Sequence, residues 1–283
     1  MDSIPFSHPG LDDLVRCALA EDIGSGDITT GILIDAASRG RARVTAKEEL
    51  ILAGTSAFQR VFALLSDDVT ITSLKPDGTA ARGGDTVCEL EGAYATLLTG
   101  ERTALNFLQH LSGIATRAHR FAEKLTPYKA VLLDTRKTTP GLRVLEKEAV
   151  RLGGGTNHRM GLFDAVLIKE NHIAARGSIT RAVEAVSRIK SPHMHIEVEV
   201  QTIDELKEAL AAKPDLIMLD NMGIDEMIEA VAAAAGAVPL EASGNVTLDS
   251  IEQIAATGVD YISVGALTHS ARAVDLSMII EPV

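Results

Sequence analysis

Tryptophan is absent from this 283-residue chain, and aromatic residues make up only 3% of it. Single-stranded nucleic acid is held by stacking bases on such rings, so a base-stacking platform is not expected. Positive charge is short as well. There are 27 Lys and Arg against 39 Asp and Glu, a net charge of −12 with a pI near 5.1. That balance argues against DNA or RNA as the main partner. Cysteine occurs twice, at Cys17 and Cys88, without metal-ligand or CxxC spacing. No disulfide scaffold is expected, and a reducing compartment is the default. The opening segment, MDSIPFSHPGLDDL, lacks a basic stretch followed by an apolar one, so no signal peptide is expected. No apolar run approaches the ~18 residues of a membrane span. These absences predict a soluble, cytoplasmic protein without a membrane or nucleic-acid partner.

Apolar residues make up 46% of the chain, ample for a core, and the length suits one large domain or two modest ones. The two halves differ in texture. Residues 1–112 are mixed: Leu11 to Ala20 has helical spacing, EDIGSGDITT is turn-rich, and 41–52, 69–74 and 86–90 alternate as short strands do. From Thr99 a long helical pattern runs through Leu105, Leu108, Leu111, Ala115, Ala118 and Phe121, with a candidate break at Gly113.

From Val131 onward, strand and helix patterns alternate. Candidate strands are 131–134, 165–169, 195–200, 216–220, 239–243 and 261–265, and the segment near 153–156 can add a short one. Helical spacing fills 179–189, 203–212, 225–235 and 248–257. Ser178 can cap the first of these helices, Thr202 with Glu205 can form a capping box for the second, and Gly258 can end the last. Apolar strands alternating with helices mean a parallel sheet covered by helices. Six or seven units without a Gly-rich dinucleotide turn favour an incomplete β/α barrel over a Rossmann sheet.

The chemistry concentrates in DTRKTTPGLRVLEKEAVRLGGGTNHRMGLFDAVLIKENH, residues 134–172. Between Arg136 and Arg159 six Lys and Arg, plus His158, face only Glu146 and Glu148. A cationic island in an acidic protein is a local site for an anion. Arg136 and Lys137 follow one apolar run and Lys169 another, so these cations point into the mouth of a barrel. Barrel chemistry collects at the C-terminal ends of strands. Those ends read Asp134, Arg136, Lys137, Lys169, Glu199, Asp220, Ser243-Gly244-Asn245 and Gly265. Lys and Arg hold carboxylates or phosphates through charge-assisted hydrogen bonds. Turn amides at helix starts hold phosphate. Carboxylates accept sugar hydroxyls or stabilise a developing cation.

Ordinary explanations compete. Arg143, Lys147 and Arg151, at i, i+4 and i+8, can form a solvated helix face. Glu197 has the same strand parity as Glu199, and one of the two can be a structural partner of Lys169. Asp220 and Asn221 can cap the following helix, and Ser243-Gly244-Asn245 can be a plain turn. His110, His119, His193 and His195 lack metal spacing. Asp67-Asp68 has no phosphate loop after it, and Gly24-Ser25-Gly26 has no P-loop lysine.

These segments, together with GERTALNFLQHLSGIAT, IEVEV, LDNM, EASGN and ISVGALTHS, resemble the quinolinate phosphoribosyltransferase family. Those are the carboxylating nicotinate-nucleotide pyrophosphorylases of NAD biosynthesis, and the likeness runs from EDIGSGDITT to the C-terminus. The resemblance implies an N-terminal α/β sandwich-like domain over residues 1–112, rejoined by a tail at about 270–283, and an open β/α barrel of about seven strands over 113–269. It implies a homodimer or hexamer with shared active sites, Arg102 reaching the neighbour's site. Thr135, Arg136, Lys137, His158, Arg159 and Lys169 would line the quinolinate site. Glu199 and Asp220 would face the ribose of phosphoribosyl pyrophosphate, with Ser243, Gly244, Asn245, Val264, Gly265 and Ala266 at its 5′-phosphate. Lys137, Lys169, Glu199 and Asp220 are the catalytic candidates. Mg²⁺ would accompany the pyrophosphate, its protein ligands, if any, being unassigned. The alternatives are a phosphoribosyltransferase of the related molybdenum-associated group and a non-catalytic phosphate-sensing barrel, which has no need of the TRK and NHR cations.

Overall fold

Small and apolar residues alternate with charged ones along Arg39–Ala46, burying every second side chain. That alternation makes β1 (Arg39–Ala46) the strand about which the first sheet is built. The computed structural model describes residues 8–283; residues 1–7, on which the signal-peptide expectation partly rests, lie outside the described residues. After β1 come β2 (Leu50–Ile51), β3 (Thr70–Leu74), β4 (Ala80–Ala81) and β5 (Thr86–Ala93). The sheet order is β12-β1-β5-β3, all antiparallel, where β12 is the C-terminal strand Leu276–Pro282. The tail is therefore an edge strand of the first sheet, with Val44 opposite Met278. The outward face carries cross-strand ion pairs, Arg41–Glu91 and Arg43–Glu89. Exposed pairs of this kind contribute little stability. The inward residues Ala42, Val44, Val87 and Leu90 are fully buried or nearly so, as are Phe58 and Phe62 of the Thr55–Leu65 helix.

By its contacts the chain forms two units. The first takes residues up to Arg117, then Pro140–Gly153 and Ala271–Val283; the second takes Ala118–Thr139 and Gly154–Ser270. Residues 140–153, which the resemblance puts inside the barrel span 113–269, thus group with the first unit. The reason is the Arg143–Leu152 helix. Its Glu146 is fully buried and lies 2.8 Å from His110 Nε2. Lys147 on the same helix is also fully buried, whereas Arg151 is exposed and paired with Glu148. The three cations at i, i+4 and i+8 are therefore not one solvated face.

The long helix is continuous from Tyr94 to Leu125, with no break at Gly113. Glycine is required there for another reason: a Cβ would stand 2.2 Å from the carbonyl oxygen of Arg272. Among the described residues no helix is long and apolar enough to cross a membrane.

In the second unit β6 (Val131–Leu133), β7 (Val166–Ile168), β8 (Ile196–Val200), β9 (Leu216–Asp220), β10 (Leu240–Ser243) and β11 (Tyr261–Ser263) form one parallel sheet. Its order, β6-β11-β10-β9-β8-β7, follows the chain from β7 to β11 and returns to β6. An isolated parallel bridge, Leu133 to Thr156, adds the short seventh element beside β6. The expected helices appear at Ile179–Ser187, Ile203–Ala212, Ile224–Ala234 and Ile251–Ala256. Ser178 and Thr202 cap the first two by accepting from Arg181 N and Glu205 N. The Thr202 box does not close, because Glu205 Oε2 accepts from Gln201 N instead. Gly258 has the left-handed φ, +93°, expected just past a helix end.

Candidate functional site

Period-two alternation sends residues 197 and 199, 218 and 220, 241 and 243 to the same side of their strands. At the C-terminal ends of the parallel strands they meet the loop cations. Thr135, Arg136, Lys137, His158, Arg159, Lys169, Glu199, Asp220 and Ser243 line one cavity of about 500 Å³, all from the second unit. Leu167 and Met218 form apolar wall, and Asn221, Glu241 and Ser263 complete it.

The loop after β6 is held from two sides. Thr135 Oγ1 accepts from Lys137 N (3.0 Å), and Lys137 O accepts from Thr268 Oγ1 (2.7 Å). The Lys137 stem lies over Gly265, where a Cβ would come within 2.9 Å of it. Asp134, fully buried, does not line the cavity; its two oxygens accept from His158 N and Asn157 Nδ2 at 2.8 and 2.7 Å. It fixes the NHR loop from beneath. Arg159 donates to Ala165 O at 3.0 Å. Burial, then the neighbouring Arg136, lowers the pKa of its guanidinium, with Glu197 and Asp164 opposing.

Lys169 extends from the end of β7 and donates to Glu199 Oε2 at 2.6 Å. Glu199, not Glu197, is thus the partner of Lys169 and the carboxylate that lines the cavity. Parity could not separate the two; height along β8 does. Glu197 lies deeper, 5% exposed, with Oε2 2.9 Å from His158 Nε2. Both His158 ring nitrogens are engaged, since Nδ1 accepts from Arg159 N at 2.7 Å.

Asp220 and Asn221 do not cap the next helix, which starts behind Gly223. Asn221 is left-handed at φ +57°; its N–H donates to Ser243 O, and its Oδ1 accepts from Asn245 Nδ2 at 3.2 Å. Gly244 is needed in this turn: φ is +100°, and a Cβ would meet Asn221 Oδ1 at 2.2 Å. The turn is therefore locked to the end of β9. Gly244, Asn245, Val264, Gly265 and Ala266 do not line the cavity itself. They follow Ser243 and Ser263, which do. Val264 is buried and its N–H donates to Leu133 O, so that amide is not free for a phosphate. Arg102 belongs to the first unit and is exposed on the long helix.

Glu241 is not among the residues that the sequence singles out. It is fully buried at the cavity floor. Its signal was there to read, because it sits two residues before Ser243 and so shares its face.

Comparisons with known proteins agree with this geometry. Residues 27–112 match the family model for the quinolinate phosphoribosyl transferase N-terminal domain, and residues 114–279 match that for its C-terminal domain. A probable nicotinate-nucleotide pyrophosphorylase (carboxylating) of Bacillus subtilis is 43% identical, over 96% of this chain and 94% of that one. One from Synechocystis is 46% identical, over 95% and 92%. The solved nicotinate-nucleotide pyrophosphorylase of Francisella tularensis superposes with a TM-score of 0.92 at 45% identity, covering 99% of this chain and all of that one. With both domain models matched in order and the cations gathered over the ends of a parallel sheet, this chain belongs to the quinolinate phosphoribosyltransferase family.

Proposed function

We propose that this cavity joins quinolinate to the Mg²⁺ salt of phosphoribosyl pyrophosphate, giving nicotinate mononucleotide, pyrophosphate and CO2. One observation carries the reading: Arg136, Lys137, Arg159 and Lys169 converge on a single cavity that also holds Glu199 and Asp220. Quinolinate has two carboxylates, which four cations can hold with charge-assisted bonds. Thr135 serves by turning the loop that presents Arg136 and Lys137. His158 serves by presenting Arg159 rather than by donating to substrate. Ser243, Gly244, Asn245, Gly265 and Ala266 would receive the 5′-phosphate, on turns held rigid by Asn221 and Lys137.

The ring nitrogen attacks the anomeric carbon while the bond to pyrophosphate breaks, through an oxocarbenium-like transition state. Glu199 and Asp220 stabilise that positive charge and orient the ribose. The quaternised nitrogen then draws electron density from the ring. The bond to the 2-carboxylate breaks, CO2 leaves, and the electron pair left on carbon takes a proton from water. No nucleophilic side chain is needed.

The active assembly is a homodimer or larger oligomer in which Arg102 reaches the site of a neighbouring copy. Cys17 and Cys88 are both free thiols, which fits a reducing compartment such as the cytoplasm. The reading is tested by incubating the protein with phosphoribosyl pyrophosphate, Mg²⁺ and either quinolinate or nicotinate. Equal release of CO2 and nucleotide from quinolinate is expected. Turnover of nicotinate with none of quinolinate overturns it.

A further inference from the structure

Two buried carboxylates, Glu197 and Glu241, meet the half-buried His158 beneath the substrate cations, and neither carboxylate has a part in the mechanism above. His158, Glu197 and Glu241 place one ligand atom each within 4.8 Å of the others. His158 Nε2 lies 2.9 Å from Glu197 Oε2 and 3.6 Å from Glu241 Oε2. Arg159 N–H occupies Nδ1, so the ring carries its proton on Nε2 and gives it to Glu197. That proton satisfies one carboxylate oxygen only. Glu197 Oε1 and both oxygens of Glu241 are buried, with only the Ser263 hydroxyl close enough to help Glu241. Two ionised carboxylates within 4.8 Å of each other, buried with so few donors, are strongly disfavoured. One proton between them removes a charge and supplies the missing donor.

We propose that Glu197 and Glu241 hold a single shared proton, and that this proton sets the positive charge of the pocket and with it the affinity for the dianionic pyridine substrate. The inference rests on the reading of the substrate given above. Facing the pair are His158 and Arg159 from the loop before β7, Arg136 beside Arg159, Asp134 beneath His158, and Glu199 one pleat higher on β8. Each further ionised carboxylate here cancels a positive charge that the substrate needs. Burial first, then the adjacent Glu197 charge, pushes the Glu241 carboxyl up to about 8, with His158 opposing. The acid form therefore survives at neutral pH. Glu241 touches no reacting atom and is a positioning residue.

The test has two arms. In the wild-type enzyme, infrared difference spectra over a pH titration should show one carboxylic acid band persisting at neutral pH and vanishing in alkali. Glu241→Gln, which is neutral at every pH, should lack that titration. In kinetics, the wild-type KM for quinolinate should climb by up to about tenfold per pH unit once the proton is lost. That climb should be absent in Glu241→Gln, while the KM for phosphoribosyl pyrophosphate follows wild type. Absence of the acid band in the wild type overturns the shared proton, whatever the substrate is. An unchanged alkaline climb in Glu241→Gln overturns its role in affinity. The infrared arm needs neither substrate nor variant, so a variant that fails to fold, or a protein inactive on quinolinate, leaves the shared proton testable.

Discussion

Lys169 Nζ stands 2.6 Å from Glu199 Oε2, and the two side chains span the positions proposed for two different substrates. Glu199 is 11% exposed and Lys169 48%, so the carboxylate is set and the ammonium is the adjustable partner. A pyridine carboxylate entering the cavity offers Lys169 a second anion. In the proposed reaction Lys169 would turn from Glu199 to the substrate, and Glu199 would be released toward the ribose as positive charge develops there.

This exchange predicts opposite kinetic signatures for its two members. Lys169→Ala removes a charge-assisted bond and should raise the KM for quinolinate by about tenfold to a hundredfold. Glu199→Gln removes the competitor for Lys169 and should leave that KM equal or lower, while kcat falls steeply. Initial rates with quinolinate varied at saturating phosphoribosyl pyrophosphate separate the two. Equal increases in KM for both variants, with kcat preserved, would refute the exchange.

Arg102 predicts behaviour that needs two copies of the chain. It lies in the first unit, whereas every residue lining the cavity lies in the second. If it completes a neighbour's site, Arg102→Ala and Arg159→Ala should each be nearly inactive alone. Mixed after co-expression, they should regain part of the wild-type rate, because a hybrid contains one intact site. Activity of the mixture no greater than the sum of the two variants removes Arg102 from the shared site.

Gly113 carries a stability prediction. A Cβ there would lie 2.2 Å from Arg272 O, a backbone atom that cannot swing aside. Gly113→Ala lowers the intrinsic helix cost by roughly 1 kcal/mol, yet overpacking costs typically 1–3 kcal/mol and more against rigid backbone. The net effect should be destabilising, seen as a lower Tm and as loosening of the 272–276 segment in hydrogen exchange. A raised Tm would mean that the chain at Arg272 moves away freely.

Much of the architecture could be read from periodicity, because apolar strands and amphipathic helices repeat strongly after Val131. The Ile203–Ala212 helix falls on its expected bounds. The turn-rich segment EDIGSGDITT runs into a short helix, Ile28–Leu33, that its composition does not announce. It forms because Asp27 accepts from both Thr30 N and Thr30 Oγ1. Strand parity placed Glu199, Asp220 and Ser243 on the cavity side. It could not tell Glu199 from Glu197, because parity says nothing of depth. The grouping of residues 140–153 with the first unit brings Glu146 to the distant His110, a pairing that no local pattern encodes. The state of His158 depends on a hydrogen bond from its own neighbour's amide, visible only in three dimensions.

The carboxyl of Glu241 also predicts how stability changes with pH, independent of any substrate. Its folded pKa, about 8, is raised above the ordinary 4.5 by burial and by Glu197. The folded state keeps a proton that the unfolded chain releases. Its contribution is therefore fully present below pH 4.5 and is lost as pH rises toward about 8, levelling off above that. The loss is on the order of 1 kcal/mol per pH unit at most. Glu241→Gln cannot release a proton, so it should gain stability relative to wild type between pH 5 and pH 8. Other carboxylates, such as Asp27 and Asp85, whose pKa values are lowered by hydrogen bonds, titrate at the acid end and cancel in the comparison. Tm measured for both proteins across this range decides it: a gap between wild type and variant that stays constant with pH would show that Glu241 is ionised in the fold, leaving the cavity floor with two charges rather than one.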